Sequence, residues 1–112
     1  MTVTAKPIID PKQAEVAQTT QYTTPANLRL IIDKFTGTNT TGAVQTISVN
    51  LVKSGSAAAA SNVITSAQSI AAGGVYTFPE LVGHVLNPGD FISTSSSAVA
   101  ITIRASGREV TT

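Results

Sequence analysis

The single histidine of the chain, His84, follows Glu80 by four residues. On a helix this spacing places both side chains on one face, where a carboxylate and an imidazole could share a metal ion. Two ligands are too few for a zinc site, and the chain has no cysteine and no other histidine to complete one. We therefore predict a solvated or capping pair beside Pro79, with no bound metal and no other cofactor.

Other catalytic arrangements are also incomplete. A nucleophilic serine or threonine needs an activating base and a group that orients that base, and no Gly-x-Ser-x-Gly motif is present. Paired carboxylates, as in glycoside hydrolases, would have to come from the six acidic side chains, which are Asp10, Glu15, Asp33, Glu80, Asp90 and Glu109. We expect all six to have surface roles and predict that the protein is not an enzyme, with a hydrolase as a remote alternative.

The aromatic and basic residues raise the possibility of binding. Tyr22, Tyr76 and Phe78 could form a platform for sugar stacking, but the chain has no tryptophan, and we favour core packing for them. Arg104 and Arg108 could bond a carboxylate across an interface or face water, and we favour water. A net charge of +1 gives no electrostatic footprint for nucleic acid, so no nucleic-acid partner is expected.

The elements that must position these residues are predicted to be β-strands. Between residues 44 and 53, apolar side chains alternate with Thr, Ser and Asn, which is the period of a strand with one solvated face. Residues 98–105 show the same alternation. The strongest strand candidate, 28–38, breaks its alternation at Asp33 and Lys34, which predicts a bulge or a change of face.

Glycine and proline mark the turns between these strands. The segment Asn87-Pro88-Gly89-Asp90 has the composition of a type II turn. Ser106-Gly107 predicts a turn before a last short strand at 108–111. The chain then holds about seven or eight short strands with turns roughly every ten residues, which is typical of an antiparallel sandwich or a jelly roll.

At 112 residues the chain is expected to form one domain. The absence of cysteine excludes disulfide bonds. We predict an all-β fold, with an antiparallel, jelly-roll-like β-sandwich in residues 22–112 and an extended N-terminal arm in residues 1–21.

The predicted arm has a distinct composition. Pro7 and Pro11 each fix one φ angle and remove one hydrogen-bond donor, and Ile8 and Ile9 form an apolar knob between them. We expect the arm to lie on this domain or on a partner. No apolar stretch approaches the roughly 20 residues that span a bilayer, and the first residues lack the apolar core of a signal peptide. Synthesis in a cytoplasm, without export and without a membrane partner, is therefore expected.

Four segments resemble small virion proteins of tailed bacteriophages. They are AQTTQYT at 17–23, IIDKFT at 31–36, LNPGDFIS at 86–93 and IRASGRE at 103–109. In its length and its leading arm, the chain is similar to the capsid decoration, or staple, proteins of short-tailed phages. That resemblance implies a jelly-roll-like protein on the outer capsid surface that bridges neighbouring major capsid protein subunits, commonly as a dimer, and has no catalytic residues.

The expected function is therefore non-enzymatic reinforcement of a phage capsid. The protein would be made in the cytoplasm of the bacterial host and would be located on the outside of the virion. Its expected partners are the major capsid protein and further copies of itself, as a homodimer or a trimer. The predicted interface consists of Pro7, Ile8, Ile9 and Pro11 in the arm, together with Tyr22. The alternatives are a tail, fibre or baseplate component, and a carbohydrate-binding or adhesion module.

Overall fold

A computed structural model describes residues 1–111 of the chain; Thr112, the last residue of the predicted sandwich, lies outside the described part. The described residues form nine strands and no helix. The strands are β1 (Thr2–Gln13), β2 (Thr19–Thr23), β3 (Leu28–Asn39), β4 (Gln45–Val52), β5 (Val63–Ile70), β6 (Val75–Tyr76), β7 (Val85–Leu86), β8 (Phe91–Ser96) and β9 (Ile101–Thr111).

The strands form two antiparallel sheets, which confirms the predicted all-β class. The five-stranded sheet has the order β1-β9-β3-β6, with the short β7 also paired to β3, and the four-stranded sheet has the order β2-β8-β4-β5. Side chains from both sheets form one apolar core, because inward positions alternate with outward ones along each strand. The largest fully buried apolar side chains are Phe35, Phe78, Leu30, Ile32, Ile47, Leu81, Ile92, Ile101 and Ile103.

Two strands predicted from their alternation are confirmed. Residues 44–53 contain β4, and residues 28–38 lie within β3. The pairing of β3 with β9 shifts its register between Ile32 and Lys34. This shift is the predicted bulge. The two charged residues that interrupt the apolar alternation, Asp33 and Lys34, lie at this bulge.

The predicted type II turn at the start of β8 is also present. The N–H of Asp90 donates to the carbonyl oxygen of Asn87 at 2.9 Å. Gly89 has a φ of +86°, which is the conformation that the third residue of a type II turn requires and that glycine adopts without a steric penalty.

The segment predicted to be an arm is extended, but it belongs to the sheet. Strand β1 runs antiparallel to β9 from the pair Thr2–Thr111 to the pair Gln13–Thr102. Strand β2, which begins within the predicted arm, pairs with β8 in the other sheet. No separation between an arm at 1–21 and a sandwich from 22 is therefore seen among the described residues. The prolines are tolerated in β1 because it is an edge strand, where a missing N–H can face away from the neighbouring strand.

The turn predicted at Ser106-Gly107 is wrong, because β9 continues unbroken from Ile101 to Thr111. Gly107 lies in the middle of the strand, opposite Ile32 of β3. A Cβ atom on Gly107 would lie 2.5 Å from the carbonyl oxygen of Ile31. The glycine thus permits a close approach of the two backbones beside the bulge, a role that glycine has inside strands.

Gly107→Ala should destabilise the protein by about 1–3 kcal/mol, the usual cost of forcing extra atoms into a filled space. Gly42→Ala is the matched control, since a Cβ there meets no atom within 4 Å and its expected effect is within about 0.5 kcal/mol. Urea unfolding followed by circular dichroism measures both. Equal stability of the two variants would contradict this explanation of Gly107.

Candidate binding face

The residues predicted to form an interface do not share one exposed surface. Ile8 and Ile9 are only 8% and 3% exposed and pack in the core of the protein itself. Pro7 and Pro11 are exposed on β1. Tyr22 is half-buried and packs against the same core. Of the predicted set, the two prolines are therefore the members that a partner could reach directly.

Tyr22 belongs to a polar contact that connects the two sheets. Its hydroxyl donates to Oε2 of Glu109 at 3.2 Å, and Nζ of Lys6 lies 3.3 Å from the same oxygen. Burial, reinforced by the negative charge of Glu109 and this hydrogen bond, raises the pKa of Tyr22. The contact joins β2 of one sheet to β1 and β9 of the other, and it gives Tyr22 an internal role.

The predicted pairing of Glu80 with His84 is not formed among the described residues. Glu80 instead accepts hydrogen bonds from the hydroxyl of Thr65 and, at 2.7 Å, from the hydroxyl of Tyr76. His84 is exposed, and its carbonyl oxygen accepts from the N–H of Ile32 at 3.0 Å. Burial alone would raise the pKa of Glu80, but the hydrogen bonds from Thr65 and Tyr76, with a further backbone hydrogen bond, hold that pKa below the usual range.

This lowered pKa predicts a stability change in acid. Because the folded-state pKa of Glu80 lies below the unfolded value of about 4.3, its carboxylate stabilises the fold above that pH. The stabilisation is lost as the pH falls through the folded-state pKa. Glu80→Gln should therefore be destabilising at pH 7, and its difference from the wild type should shrink by pH 3. The measurement is the free energy of unfolding in urea at both pH values.

Asp10→Asn is the control for this experiment. Asp10 is an exposed carboxylate on β1 that forms no ion pair within residues 1–111. An unchanged difference between the wild type and Glu80→Gln at pH 7 and pH 3 would show that the hydrogen-bonded carboxylate does not carry the acid sensitivity.

The aromatic residues do not form a platform for sugar stacking. Phe78 is fully buried. Its ring centroid lies 4.7 Å from that of Phe35 and 4.7 Å from that of Tyr76, both in edge-to-face geometry. Tyr22 lies in a different strand, in the contact with Glu109 described above. The core packing predicted for Phe78 is confirmed, and Tyr76 is packed against the same core.

The four-stranded sheet presents an uncharged outer surface. None of its strands β2, β4, β5 and β8 contains an Asp, Glu, Lys or Arg residue. Amides on and beside the sheet bond to neighbours: Nε2 of Gln18, just before β2, donates to Oγ of Ser93 at 2.7 Å, and Nδ2 of Asn50 donates to Oδ1 of Asn62 at 2.8 Å. This surface therefore offers neutral, mostly hydroxyl groups.

The outward sides of β3 and β9 in the five-stranded sheet form a basic surface, which we call the basic face. Arg29 and Lys34 on β3 are exposed, and so are Arg104 and Arg108 on β9. These positions alternate with inward-facing residues that are buried in the core. The register pairs β3 with β9 along this whole length, so the four cations occupy the outward side of two adjacent strands.

The charges on the basic face are not balanced. It carries four of the seven Lys and Arg residues of the chain and one exposed acidic residue, Asp33, so the outward sides of β3 and β9 have a local charge of +3 in a chain of net charge +1. Nε of Arg108 lies 2.9 Å and 3.1 Å from the two carboxylate oxygens of Asp33. None of the salt bridges within residues 1–111 includes Arg29, Lys34 or Arg104.

The preference for water at Arg108 is thus wrong in part, since Arg108 is exposed but pairs with Asp33. The net charge of the chain could not reveal the basic face, because it adds all positive and negative residues without regard to their positions. The available signal was the alternation of Arg104 and Arg108 with buried residues, which predicts that both lie on one side of a strand.

Among residues 1–111, no group of three His, Cys, Asp or Glu side chains could hold a metal ion. Within that same range, no helix is long and apolar enough to cross a membrane. Comparison of the chain with protein-family models, with curated proteins and with solved structures finds no match.

Proposed function

We propose that the protein is a non-enzymatic structural protein of a tailed-phage virion. It binds the outside of the capsid and stabilises contacts between major capsid protein subunits. The observation that carries the proposal is the pairing of the strands. The resemblance of residues 17–23, 31–36, 86–93 and 103–109 to small virion proteins adds to it.

The proposal includes a jelly-roll topology for the two sheets. Of the two short strands that pair with β3, β6 is kept and β7, which lies off the main strand order, is set aside; eight strands remain, and the first pairs with the last, β1 with β9. The second of the eight, β2, pairs with the seventh, β8. The third, β3, pairs with the sixth, β6, and the fourth, β4, pairs with the fifth, β5. A long antiparallel hairpin rolled into two sheets has these four pairings, and viral capsid proteins are among the proteins that use such double-sheet rolls.

The internal roles of the titratable side chains favour a structural function over a catalytic one. Tyr22 and Glu109 join the sheets, and Glu80 bonds to Thr65 and Tyr76. These contacts hold a rigid framework that leaves two broad surfaces, one neutral and one basic, for contacts with other molecules. Many modest contacts repeated over a shell act together, so their summed effect on shell stability exceeds what one copy provides.

Copy number tests the proposal against its nearest alternative. Quantitative mass spectrometry of purified virions should find hundreds of copies per particle, in a fixed ratio to the major capsid protein. A few copies per particle would instead indicate a tail, fibre or baseplate component. Absence of the chain from purified virions would contradict both assignments.

Capsid rupture provides the functional measurement. Particles from a phage in which the gene for this chain is deleted should release DNA at a lower temperature than wild-type particles, and added protein should return the release temperature to the wild-type value. A glycan array should show no binding, since Phe78 is buried and Tyr22 and Tyr76 pack against the core instead of forming a stacking platform. Strong glycan binding together with unchanged particle stability would favour the adhesion module.

A further inference from the structure

We propose that the basic face is the surface with which the protein docks, and that its partner there is an acidic protein surface. This inference rests on the proposed function, because that partner is the capsid shell. The partner would present carboxylates complementary to the cations, flanked by apolar side chains that meet the exposed valines described below.

Like charges lie close together on the basic face. Arg29 lies opposite Val110 and Arg108 lies opposite Ile31, so the two arginines are diagonal neighbours on adjacent strands. Diagonal neighbours in an antiparallel pair lie only about 7–8 Å apart. Within the described chain, Asp33 is the one acidic residue that offsets this pair.

The same diagonal arrangement occurs on the other side of the bulge. Lys34 lies opposite Ser106, and Arg104 lies opposite Thr36. Neither cation of this second pair belongs to a salt bridge of residues 1–111. Like charges at this distance repel each other, and carboxylates supplied by a partner would remove the repulsion. Electrostatic complementarity of this kind raises association rates and selects between partners.

Exposed valines flank the cations on the neighbouring strands β1 and β7. Val3 of β1 lies opposite Val110 of β9, and Val85 of β7 lies opposite Ile31 of β3. Val3 is 52% exposed and Val85 is 51% exposed. Ile31 and Val110 are half-buried. Protein interfaces combine apolar and charged contacts, whereas a nucleic-acid backbone would leave these valines without a partner. The combination favours a protein.

A shallow pocket on the face is suited to one carboxylate. It measures about 260 Å³ and is lined by Lys34, Thr36, Arg104, Ala105 and Ser106. Two cations and two hydroxyl groups thus surround a space large enough for an Asp or Glu side chain. Hydrogen bonds between an ionised donor and a carboxylate are roughly twice as strong as neutral ones, so this pocket is the expected anchor of the contact.

A second copy of the chain is a poor occupant of the basic face. A symmetric dimer through this surface would place the same patch on both sides and would therefore oppose a charge of +3 with a charge of +3. The occupant must be negatively charged.

The test uses capsids produced by a phage in which the gene for this chain is deleted. The variant is R29Q/K34Q/R104Q, which removes three positive charges that form no salt bridge within residues 1–111. The control is T20E/S66E/S69E, which makes the same net change in charge at three exposed positions of the four-stranded sheet. Both should unfold at the wild-type temperature. Cosedimentation with the capsids measures the affinity of each protein.

Wild type and control should saturate the capsids, whereas R29Q/K34Q/R104Q should bind about tenfold more weakly or worse. Wild-type affinity should also fall as the salt concentration rises. Equal binding by all three proteins would overturn the role of the basic face and leave the proposed function standing. Failure of the wild-type protein to bind would overturn both.

Nucleic acid is examined in a separate arm with the same proteins. Fluorescence anisotropy with a duplex DNA probe at physiological salt should show no saturable binding. Saturable DNA binding by the wild type that is lost in R29Q/K34Q/R104Q would overturn the acidic-protein partner in favour of nucleic acid.

Discussion

A chain that lacks residues 1–13 should show no cooperative unfolding transition. This deletion removes all of β1, the strand that pairs with β9 along most of its length. It also removes Ile8 and Ile9, and fully burying an isoleucine side chain stabilises a protein by about 1.5–3 kcal/mol. Because small domains are stable by only about 5–15 kcal/mol in total, loss of these side chains and of a full strand of backbone hydrogen bonds should exceed the available stability.

Point variants separate this core role from a role in partner contact. Ile9→Ala should cost about 2–5 kcal/mol, the range for truncation of a buried aliphatic side chain. Val3→Ala on the same strand is the control, because Val3 is 52% exposed and its expected effect on stability is within about 0.5 kcal/mol. Urea unfolding measured by circular dichroism compares them. A folded deletion variant of unchanged stability would show that β1 is a dispensable arm after all.

Phe78→Ala should destabilise the protein by about 3–5 kcal/mol, the usual cost of truncating a buried phenylalanine. Phe78 is fully buried and lies edge-to-face against Phe35 and Tyr76. The chain has only five aromatic residues, and these three form one contiguous cluster. Its removal should therefore leave a cavity that small neighbouring side chains cannot fill.

Val75→Ala provides the control for Phe78→Ala, because it truncates a residue of the neighbouring β6 that is 59% exposed. Its effect should stay within about 0.5 kcal/mol. Thermal unfolding monitored by calorimetry gives both values. If both variants lost the same stability, the aromatic cluster would not be the main support of this end of the core.

Local pattern predicted those parts of the fold that depend on neighbouring residues. Alternation identified β3 and β4, and the interruption at Asp33 and Lys34 marked the bulge. The turn at 87–90 followed from the conformations that proline and glycine prefer. Each of these features is determined within a few residues, so a single sequence contains the necessary information.

The features that were missed depend on partners distant in the chain. Gly107 signals a turn when only its neighbours are considered, but its role is set by the backbone of β3 about 75 residues earlier. The prolines of β1 suggested an arm that lies on the domain or on a partner, because proline alone cannot reveal that this segment pairs with β9 as a strand of the sheet. Tyr22 and Glu109 likewise meet only when the two sheets pack.

The basic face was missed for the same reason. Its cations come from β3 and β9, which the register brings together. The net charge of the chain does not reveal them, because acidic residues elsewhere cancel most of their charge. The candidate site therefore follows from the pairing of two strands far apart in the sequence.

An electron cryo-microscopy map of the virion tests the central proposal most directly. We expect repeated density on the outside of the capsid into which the 46 × 26 × 19 Å molecule fits, with the five-stranded sheet facing the capsid subunits. A shell surface without such density, with the chain present only at the tail, would contradict the account.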